Sequence, residues 1–507
     1  MPQLIANLSQ LTADAIAQFH KAVSVPLSPQ QLGSDGISKA ITQATGLVWY
    51  DLQAPAKNLF PVITPLRNSI PRTSGNGGTA TNWIAVTGIN SASLQGFVPE
   101  GVRNGLVTTT VAPHSAAYKG FGLEDSVTFE ADLAAVNFED VRATTAQRLL
   151  WATMIQEELA ILGGLTSFSL AIPTAPTVSN DAAGGAIAAG TYSVIVVALT
   201  LMGYQAASLA NGVPLLVSVT SPDGTVFTYG GGSSDNSAAT STGAIIGATN
   251  SILAYTPVVT GAVAYAWYAG VAGAERLEAI TTLNSVELTA LAGTHQLASA
   301  VIADNSDNAY AYDGLLYQAW TSGSNAYIAN LATGVEGVGT PLTSDGAGGI
   351  TEIDAMLQDR WDNYRLGFDC IYVNSQEAKN ITAKVIAGGG APLMRFVTDN
   401  PSDGMGQLTA GAAVAKYLNK YSMGGAPLIP IQIHPYVPAG TLVGIAETLP
   451  YPINNVPNVM EMKMRRDYYQ MEWPLRTRKY ETGVYCDGVL AHYFPPSIGI
   501  ITNIGNG

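Results

Sequence analysis

Charged side chains are scarce in this chain of 507 residues: Lys, Arg, Asp and Glu make up 12% of it, about half the usual share for a soluble globular protein. A surface so poor in charge is typical of one that contacts other protein. The formal net charge is -14, which argues against a general polyanion binder, because nucleic-acid affinity comes largely from Lys and Arg. Only two cysteines are present, Cys370 and Cys486, so a disulfide framework and a CxxC motif are excluded and we expect two free thiols.

Motifs for catalysis are also missing. The five histidines form no HxxH or HExxH pattern, and none has metal-ligand spacing to a cysteine. The sequence contains no GxSxG and no Gly-Lys pair, which excludes a nucleophile elbow and a P-loop. The run "ADNSDNAYAYDG" lacks the glycine and the closing glutamate of a calcium loop, since Leu315 stands at the closing position. We therefore expect no enzyme, metal or cofactor.

One uncharged run, residues 182–203, is long enough to span a bilayer. Its first half is Gly and Ala, its second half is rich in β-branched residues, and neither end carries Lys, Arg or Trp anchors. This composition favours a buried strand over a membrane helix, and no membrane partner is expected. The first residues lack a basic region followed by an apolar core, so no secretory signal is predicted.

The stretch "LRNSIPRTSGNGGTATNWIAVTGINSASLQGFVPEGV" has little charge and few large apolar side chains. Four prolines in residues 47–71 predict an extended arm before it. "ATNWIAVTGI" and "GLVTTTVAP" predict two strands around the tip "GFVPEGVRN". With about eighteen residues per strand the hairpin would reach roughly 60 Å. Because an isolated two-stranded ribbon is marginal in water, we expect a partner chain to complete it.

Residues 137–164 predict a long spine helix of roughly 40 Å, capped by Asn137 with Asp140 at the reciprocal position and ended by Gly163-Gly164. Leu150, Met154, Glu158 and Leu162 fall on one line of it. Between residues 166 and 274 the only charges are three aspartates. The strand-like runs there are separated by turns, which predicts a β-sandwich that resembles a fibronectin type III or immunoglobulin-like module.

The later elements predict an α+β body. "TEIDAMLQDRWDNY" is an amphipathic helix, "FDCIYVN" a buried strand, and "SQEAKNITAKVIAGGG" a helix capped by Ser375 and closed by residues 388–390. "PLIPIQIHPYVPAGTLVGIAE" predicts two strands joined by a Pro-Ala-Gly turn, and "VMEMKMRRDYYQMEW" alternates Met with charged residues as a half-buried strand does.

This order of an arm, a long loop, a spine helix and an α+β body resembles the HK97-type major capsid proteins of tailed bacteriophages. "LFPVITPLRNSIPRTSGNGGTATNW" is similar to their arm-to-loop junction, and "DRWDNYRLGFDCIYVNSQEAKNI" and "IQIHPYVPAGTLVGIAE" are similar to their axial domain. The resemblance implies an HK97-like α+β fold with an inserted all-β sandwich. The expected divisions are an N-terminal arm (1–71), an extended β-hairpin loop (72–132), a spine helix with peripheral domain (133–168), the inserted immunoglobulin or fibronectin III-like sandwich (169–297), an axial domain (298–450) and C-terminal strands (451–507).

The resemblance also implies a function: a major capsid subunit that forms pentamers and hexamers of an icosahedral phage head around double-stranded DNA. Its partners would be further copies, with scaffolding, portal and decoration proteins, and DNA without sequence-specific binding. Its location would be the virion, after assembly in the cytoplasm of a bacterial host. Some relatives cross-link a loop lysine to an asparagine, but residues 66–111 contain no lysine, so we expect no such bond. The alternative is an exported adhesin or carbohydrate-binding protein that uses the sandwich.

Candidate subunit-interface residues follow from this reading. Arg67, Arg72 and Arg103 could pair with carboxylates of adjacent chains, or remain solvated in a mobile loop. Trp83 and Phe97 are the aromatic candidates in the loop. Near the C-terminus the basic run contributes Arg465, Arg466, Arg476 and Arg478. These four side chains could form ion pairs between subunits, lie on a solvated strand face, or touch packaged nucleic acid.

Overall fold

The computed structural model of the protein describes residues 60–75, 77–90, 97–136, 139–387, 396–397, 407–408, 414–422, 427–452 and 454–505. The predicted N-terminal helix, the Asn137 cap and the glycines at 388–390 lie outside these residues. The chain divides into two compact units, Met1–Pro61 with Glu130–Val141 and Val62–Phe129 with Arg142–Gly507. All sheets of the described residues belong to the second unit.

The α-helices of the described residues are α1 (Pro65–Ser69), α2 (Phe129–Ala134), α3 (Val141–Gly163), α4 (Leu201–Ala206), α5 (Leu315–Trp320), α6 (Thr351–Tyr364) and α7 (Ser375–Ala387). The strands are β1 (Arg72–Ser74), β2 (Ala80–Asn90), β3 (Thr108–Ala117), β4 (Lys119–Thr128), β5 (Thr177–Asp181), β6 (Gly190–Leu199), β7 (Leu216–Thr220), β8 (Val226–Gly230), β9 (Thr240–Ile245), β10 (Ser251–Tyr255), β11 (Ala264–Gly270), β12 (Arg276–Thr281), β13 (Ser285–Leu288), β14 (Tyr327–Asn330), β15 (Cys370–Val373), β16 (Phe396–Val397), β17 (Gln407–Leu408), β18 (Lys416–Leu418), β19 (Leu428–Ile433), β20 (Leu442–Ile445), β21 (Met460–Glu472), β22 (Lys479–His492) and β23 (Ile498–Thr502).

Two sheets form the α+β body. A four-stranded sheet has the order β1-β21-β22-β4, and a six-stranded mixed sheet has the order β14-β23-β20-β15-β19-β18. Side chains of α3, α5 and both sheets share one hydrophobic cluster, while α6, α7 and the six-stranded sheet share a second. Met460, Met462 and Met464 of β21 are buried as predicted, but Glu461 is buried as well, so the predicted alternation holds only in part. The C-terminal strands thus join both sheets of the body.

Three further antiparallel sheets of the described residues lie between α3 and α5 in the sequence, and one of them is the two-stranded sheet β7-β8. The other two are larger. Their strand orders are β13-β10-β5 and β12-β11-β6-β9, and both contribute to one cluster around Trp267, whose side chain is fully buried. The indole Nε1 of Trp267 donates to Thr281 Oγ1 at 2.8 Å, so the large ring is accommodated without an unpaired polar atom. The chain leaves and rejoins the body at one place: Gly314 N donates to Gly164 O at 2.8 Å, and Asn308 N donates to Leu165 O at 2.9 Å.

Several sequence predictions are confirmed. Helix α6 has the predicted bounds, the run at 182–203 contains the buried strand β6, and both cysteines are free and buried. Apart from these predictions, a search of the described residues finds no helix that is long and apolar enough to cross a membrane. The strands β19 and β20 exist as predicted, but they do not pair with each other, because β15 lies between them.

Other predictions are wrong in detail. Residues 65–69 are helical and not extended, because Pro65 occupies the first helical position that it favours. Helix α3 begins at Val141, because residues 139–140 are not helical, so its 23 residues span about 34 Å and not the predicted 40 Å. Helix α7 is capped by Asn374 and not by Ser375, since Gln376 N donates to Asn374 Oδ1 at 3.0 Å.

Candidate assembly interface

The ribbon is defined as β2, β3 and the tip of residues 97–107. Among the described residues, its two strands pair with each other and with no other strand. Its register runs from Ala80 opposite Ala117 to Asn90 opposite Thr108, with an irregularity at Val86–Gly88. Ten or eleven residues per strand give a paired length of about 35 Å. The roughly 60 Å predicted for the whole hairpin stays a prediction, because residues 91–96 lie outside the described residues. Neither strand joins a larger sheet among the described residues, so most of the ribbon lacks the layer that usually supports two strands.

Large apolar side chains point from the ribbon into solvent. Phe97 is 95% exposed and Leu106 is 85% exposed. The other exposed apolar side chains of the ribbon are Ile84, Val86, Ile89, Val98, Val102, Val107 and Val111. Single exposed apolar residues are normal, but a contiguous set of this size marks an interaction surface. Arg103 lies in the same tip and is exposed.

The root of the ribbon is fixed to the body by aromatic contacts. Trp83 stacks on His114 with ring centroids 5.5 Å apart, and the edge of its ring meets Tyr493 at 5.3 Å. The Tyr493 hydroxyl donates to Glu461, which also accepts from Thr73 Oγ1 at 3.0 Å. Trp83 is therefore placed at the attachment of the ribbon, whereas Phe97 is placed at its free end. The Trp83 Nε1 atom is buried and has no hydrogen-bond partner among the described residues.

Just before the ribbon, a buried carboxylate holds the start of helix α1. Glu158 of α3 accepts from Leu66 N at 2.9 Å and from Arg67 N at 2.7 Å. These are two of the backbone donors that a helix start leaves without an intrahelical acceptor. His434 Nε2 lies 2.6 Å from Glu158 Oε1, and the His434 and Glu158 side chains are both completely buried. Glu158 thus connects the spine helix, the segment that leads into the ribbon and the turn after β19.

The neighbouring Glu157 holds the two arginines of this segment. Its carboxylate accepts from Arg67 Nε at 2.8 Å and from an Arg72 guanidinium nitrogen at 2.7 Å, and Tyr468 donates to it. Arg72 also pairs with Asp467 at 2.6 Å. Burial lowers the pKa of Arg72, but the hydrogen bond to Asp467 and the charge of Glu157 outweigh it, so the net shift is upward. Burial first, and then the charge of Glu157, raises the pKa of Tyr468.

Arg67 and Arg72 therefore have carboxylate partners within their own chain. Their pairing with carboxylates of a neighbouring chain stays a prediction.

The C-terminal arginines are spread along one hairpin. Arg465 pairs with Asp487 at 3.0 Å, and the Arg466 guanidinium lies 4.1 Å from the centroid of the Tyr469 ring. Arg476 and Arg478 are exposed near the turn between β21 and β22, and the Arg478 guanidinium lies 5.8 Å from the Phe129 ring centroid. Their contact with other subunits or with nucleic acid stays a prediction.

Sequence reasoning missed the role of the acidic pair. Glu158 falls on the apolar line of the spine helix, and a carboxylate in such a line signals a buried acid that needs partners. The sequence could not supply the partners, because Leu66 and His434 are distant along the chain. Within the described part of the chain, no group of three His, Cys, Asp or Glu side chains could hold a metal ion.

Comparisons with known proteins give no match to a family model and none to a curated protein. Among solved structures, the chain is similar to the capsid of the native GTA particle, at 9% identity over 92% of this chain and 99% of that chain, with a TM-score of 0.41. It is also similar to the capsid of Myoviridae phage XM1, at 10% identity over 91% and 100% of the two chains, with a TM-score of 0.39. A third similar chain comes from the capsid of cyanophage A-1(L), at 12% identity over 91% and 98%, with a TM-score of 0.38.

Proposed function

We propose that the protein is a non-enzymatic structural subunit of a viral shell, the major capsid protein of a tailed phage with an HK97-like plan. The observation that carries this proposal is the ribbon, an exposed two-stranded arm whose tip carries exposed apolar side chains. In the proposal, the tip lies on a neighbouring copy of the same chain, where its apolar side chains are buried. Copies associate as pentamers and hexamers, and these close into an icosahedral head.

The energetics of the ribbon support association. Burying a Phe, Leu or Val side chain contributes about 2 kcal/mol. Each of the exposed apolar side chains of the tip would therefore add about this much to the free energy of one subunit contact. Each contact stays modest, but every subunit makes several, and linked contacts add into a stable container. The rigid root supports the same reading, because a fixed arm loses less conformational entropy on docking than a mobile one.

The proposal includes an inserted immunoglobulin or fibronectin III-like sandwich, formed by the two sheets around Trp267. The hydrogen bonds at Gly164–Gly314 and Leu165–Asn308 support an insertion, because a domain inserted into a loop has its two ends close together. In the proposal the insertion ends near residues 165 and 308, which these hydrogen bonds support, and not at the expected 169 and 297. The sandwich would be displayed on the shell.

The remaining partners in the proposal are scaffolding, portal and decoration proteins and the enclosed double-stranded DNA. The net charge of -14 supports a shell that holds DNA without binding it tightly, because few cations are available to replace counterions. The location is the virion, with assembly in the bacterial cytoplasm.

Electron microscopy of the purified protein tests the assembly. We expect closed shells or capsomer rings from the wild type, and dispersed subunits from Leu106→Asp, because the variant places a charge in the proposed contact. Ile246→Asp is the matched control, since Ile246 is also 85% exposed but lies outside the ribbon, and we expect it to assemble normally. Monomeric wild-type protein that binds glycans would favour the adhesin instead, and equal assembly by both variants would count against the ribbon contact.

A further inference from the structure

Two Asn-Gly pairs among the described residues have opposite surroundings. Asn104-Gly105 lies at the ribbon tip, and Asn211-Gly212 lies between α4 and β7. An asparagine followed by glycine is chemically vulnerable, because no side chain shields the glycine nitrogen from the asparagine side-chain carbonyl carbon. Whether the pair reacts depends on the freedom of that nitrogen.

At Asn104 the nitrogen faces the side chain that it would attack. Residues 102–107 belong to no helix or strand and are all exposed. Gly105 N donates to Asn104 Oδ1 at 2.8 Å, which places the nitrogen beside the carbon that carries this oxygen. Because residues 102–107 form no helix or strand, no helix or strand ladder holds Gly105 N away from that carbon.

At Asn211 the corresponding nitrogen is held elsewhere. Gly212 N donates to Ser208 O at 2.7 Å, and Ser208 N donates back to Gly212 O at 3.1 Å. Asn211 N also donates to Ser208 Oγ at 3.0 Å. Gly212 is buried against Gln296 at a positive φ of 82°, so this turn must open before Gly212 N can reach the Asn211 side chain.

We propose that Asn104 is a site of spontaneous deamidation at the ribbon tip. Gly105 N loses its proton and bonds to Asn104 Cγ, the bond from Cγ to the side-chain amide breaks, and ammonia leaves. Water then opens the resulting succinimide at either carbonyl, which yields aspartate or isoaspartate. No oxidant, reductant or other co-reactant is needed.

The product changes the surface through which the ribbon would dock. A carboxylate appears next to Arg103, so the tip, whose Glu100 and Arg103 otherwise balance each other, gains a negative charge. The isoaspartate form also adds a methylene to the backbone. This consequence rests on the proposed function, whereas the deamidation itself does not. In the shell proposal, Asn104 limits the time for which a free subunit remains competent to assemble.

Peptide mapping of the unassembled full-length chain, incubated at mildly alkaline pH, tests the site. Cleavage after glutamate releases residues 101–124, in which Asn104 is the only amide side chain, and residues 159–275, which contain Asn211. We expect the Asn104 fragment to convert to aspartate and isoaspartate at least about fivefold faster than Asn211, the factor that one net backbone hydrogen bond supplies. Gly105→Ala is expected to slow conversion at Asn104 and to leave Asn211 unchanged.

Equal conversion at the two asparagines, or a rate at Asn104 that Gly105→Ala does not alter, would overturn the proposal. A second measurement addresses the consequence: Asn104→Asp is expected to assemble less than Asn104→Gln, which keeps the side chain neutral. If the wild type forms no shells, the mapping still decides the deamidation, so failure of the site and failure of the shell are distinguishable.

Discussion

Replacing Glu158 with glutamine should loosen the start of helix α1 and thereby the attachment of the ribbon. The carboxylate accepts from Leu66 N and Arg67 N and contacts His434 in a completely buried place. Glutamine offers one acceptor oxygen in place of two, so one backbone donor would face an amide NH₂ group. A lost hydrogen bond to a charged group together with a buried unpaired donor costs about 3 kcal/mol.

Two measurements check this expectation. Urea denaturation of the unassembled chain should show a free energy of unfolding lower by about 3 kcal/mol in Glu158→Gln. Amide hydrogen exchange at Leu66 and Arg67 should accelerate by on the order of a hundredfold, the factor that corresponds to that free energy. The matched control is Glu352→Gln, because the Glu352 carboxylate also accepts from a backbone N–H, that of Thr343, but at an exposed position. Unchanged exchange at Leu66 and Arg67 in Glu158→Gln would refute the assigned capping role.

Three further changes test other parts of the structure. Burial is the main cause that raises the pKa of Glu377 from 4.5 to about 7. The stability that the folded protein gains from neutral Glu377 is therefore complete below pH 4.5 and is lost as the pH rises through 7. The free energy of unfolding of Glu377→Gln, relative to that of wild type, should therefore rise by about 3 kcal/mol over this pH range. Denaturation at several pH values measures it, and a difference between the two proteins that does not change with pH would contradict the raised pKa. Arg72→Lys should lower the unfolding free energy by about 2 kcal/mol, because lysine cannot span both Glu157 and Asp467, and a thermal melt that matches wild type would exclude this. Asn284→Ala should make the two-sheet module easier to cleave by protease, because Asn284 and Asn503 exchange hydrogen bonds that join the module to the body. Cleavage at the wild-type rate would contradict this role of Asn284.

Local sequence signals predict an element correctly where the residues of that element determine its structure by themselves. Helix α6 combines an apolar face with acidic residues in its first turn, and its predicted bounds agree with the structure. The sequence alone does not predict strand β9, because the run "TSTGAI" has too little apolar alternation to signal a strand. Strand β9 forms by pairing with β6, which is distant in the sequence.

The candidate site was predictable only in part. The poverty of the ribbon in charge and in buried apolar residues indicated an arm that lies outside the body. The attachment could not be derived, because it joins Leu66, Glu158 and His434 from three distant segments. The point at which pairing ends could not be derived either. Pairing in the described residues ends at Asn90 opposite Thr108, and the glycines and small polar residues that follow Asn90 in the sequence carry no signal for where pairing stops.

The meeting of Gly164 with Gly314 has an evolutionary and practical consequence. The two ends of the two-sheet module are joined by a hydrogen bond. The module can therefore be lost, exchanged or enlarged without moving the rest of the fold, because a short connector closes the same gap. Lineages could thus trade this module independently of the remainder, and an engineer could graft a foreign polypeptide at the same junction as cargo.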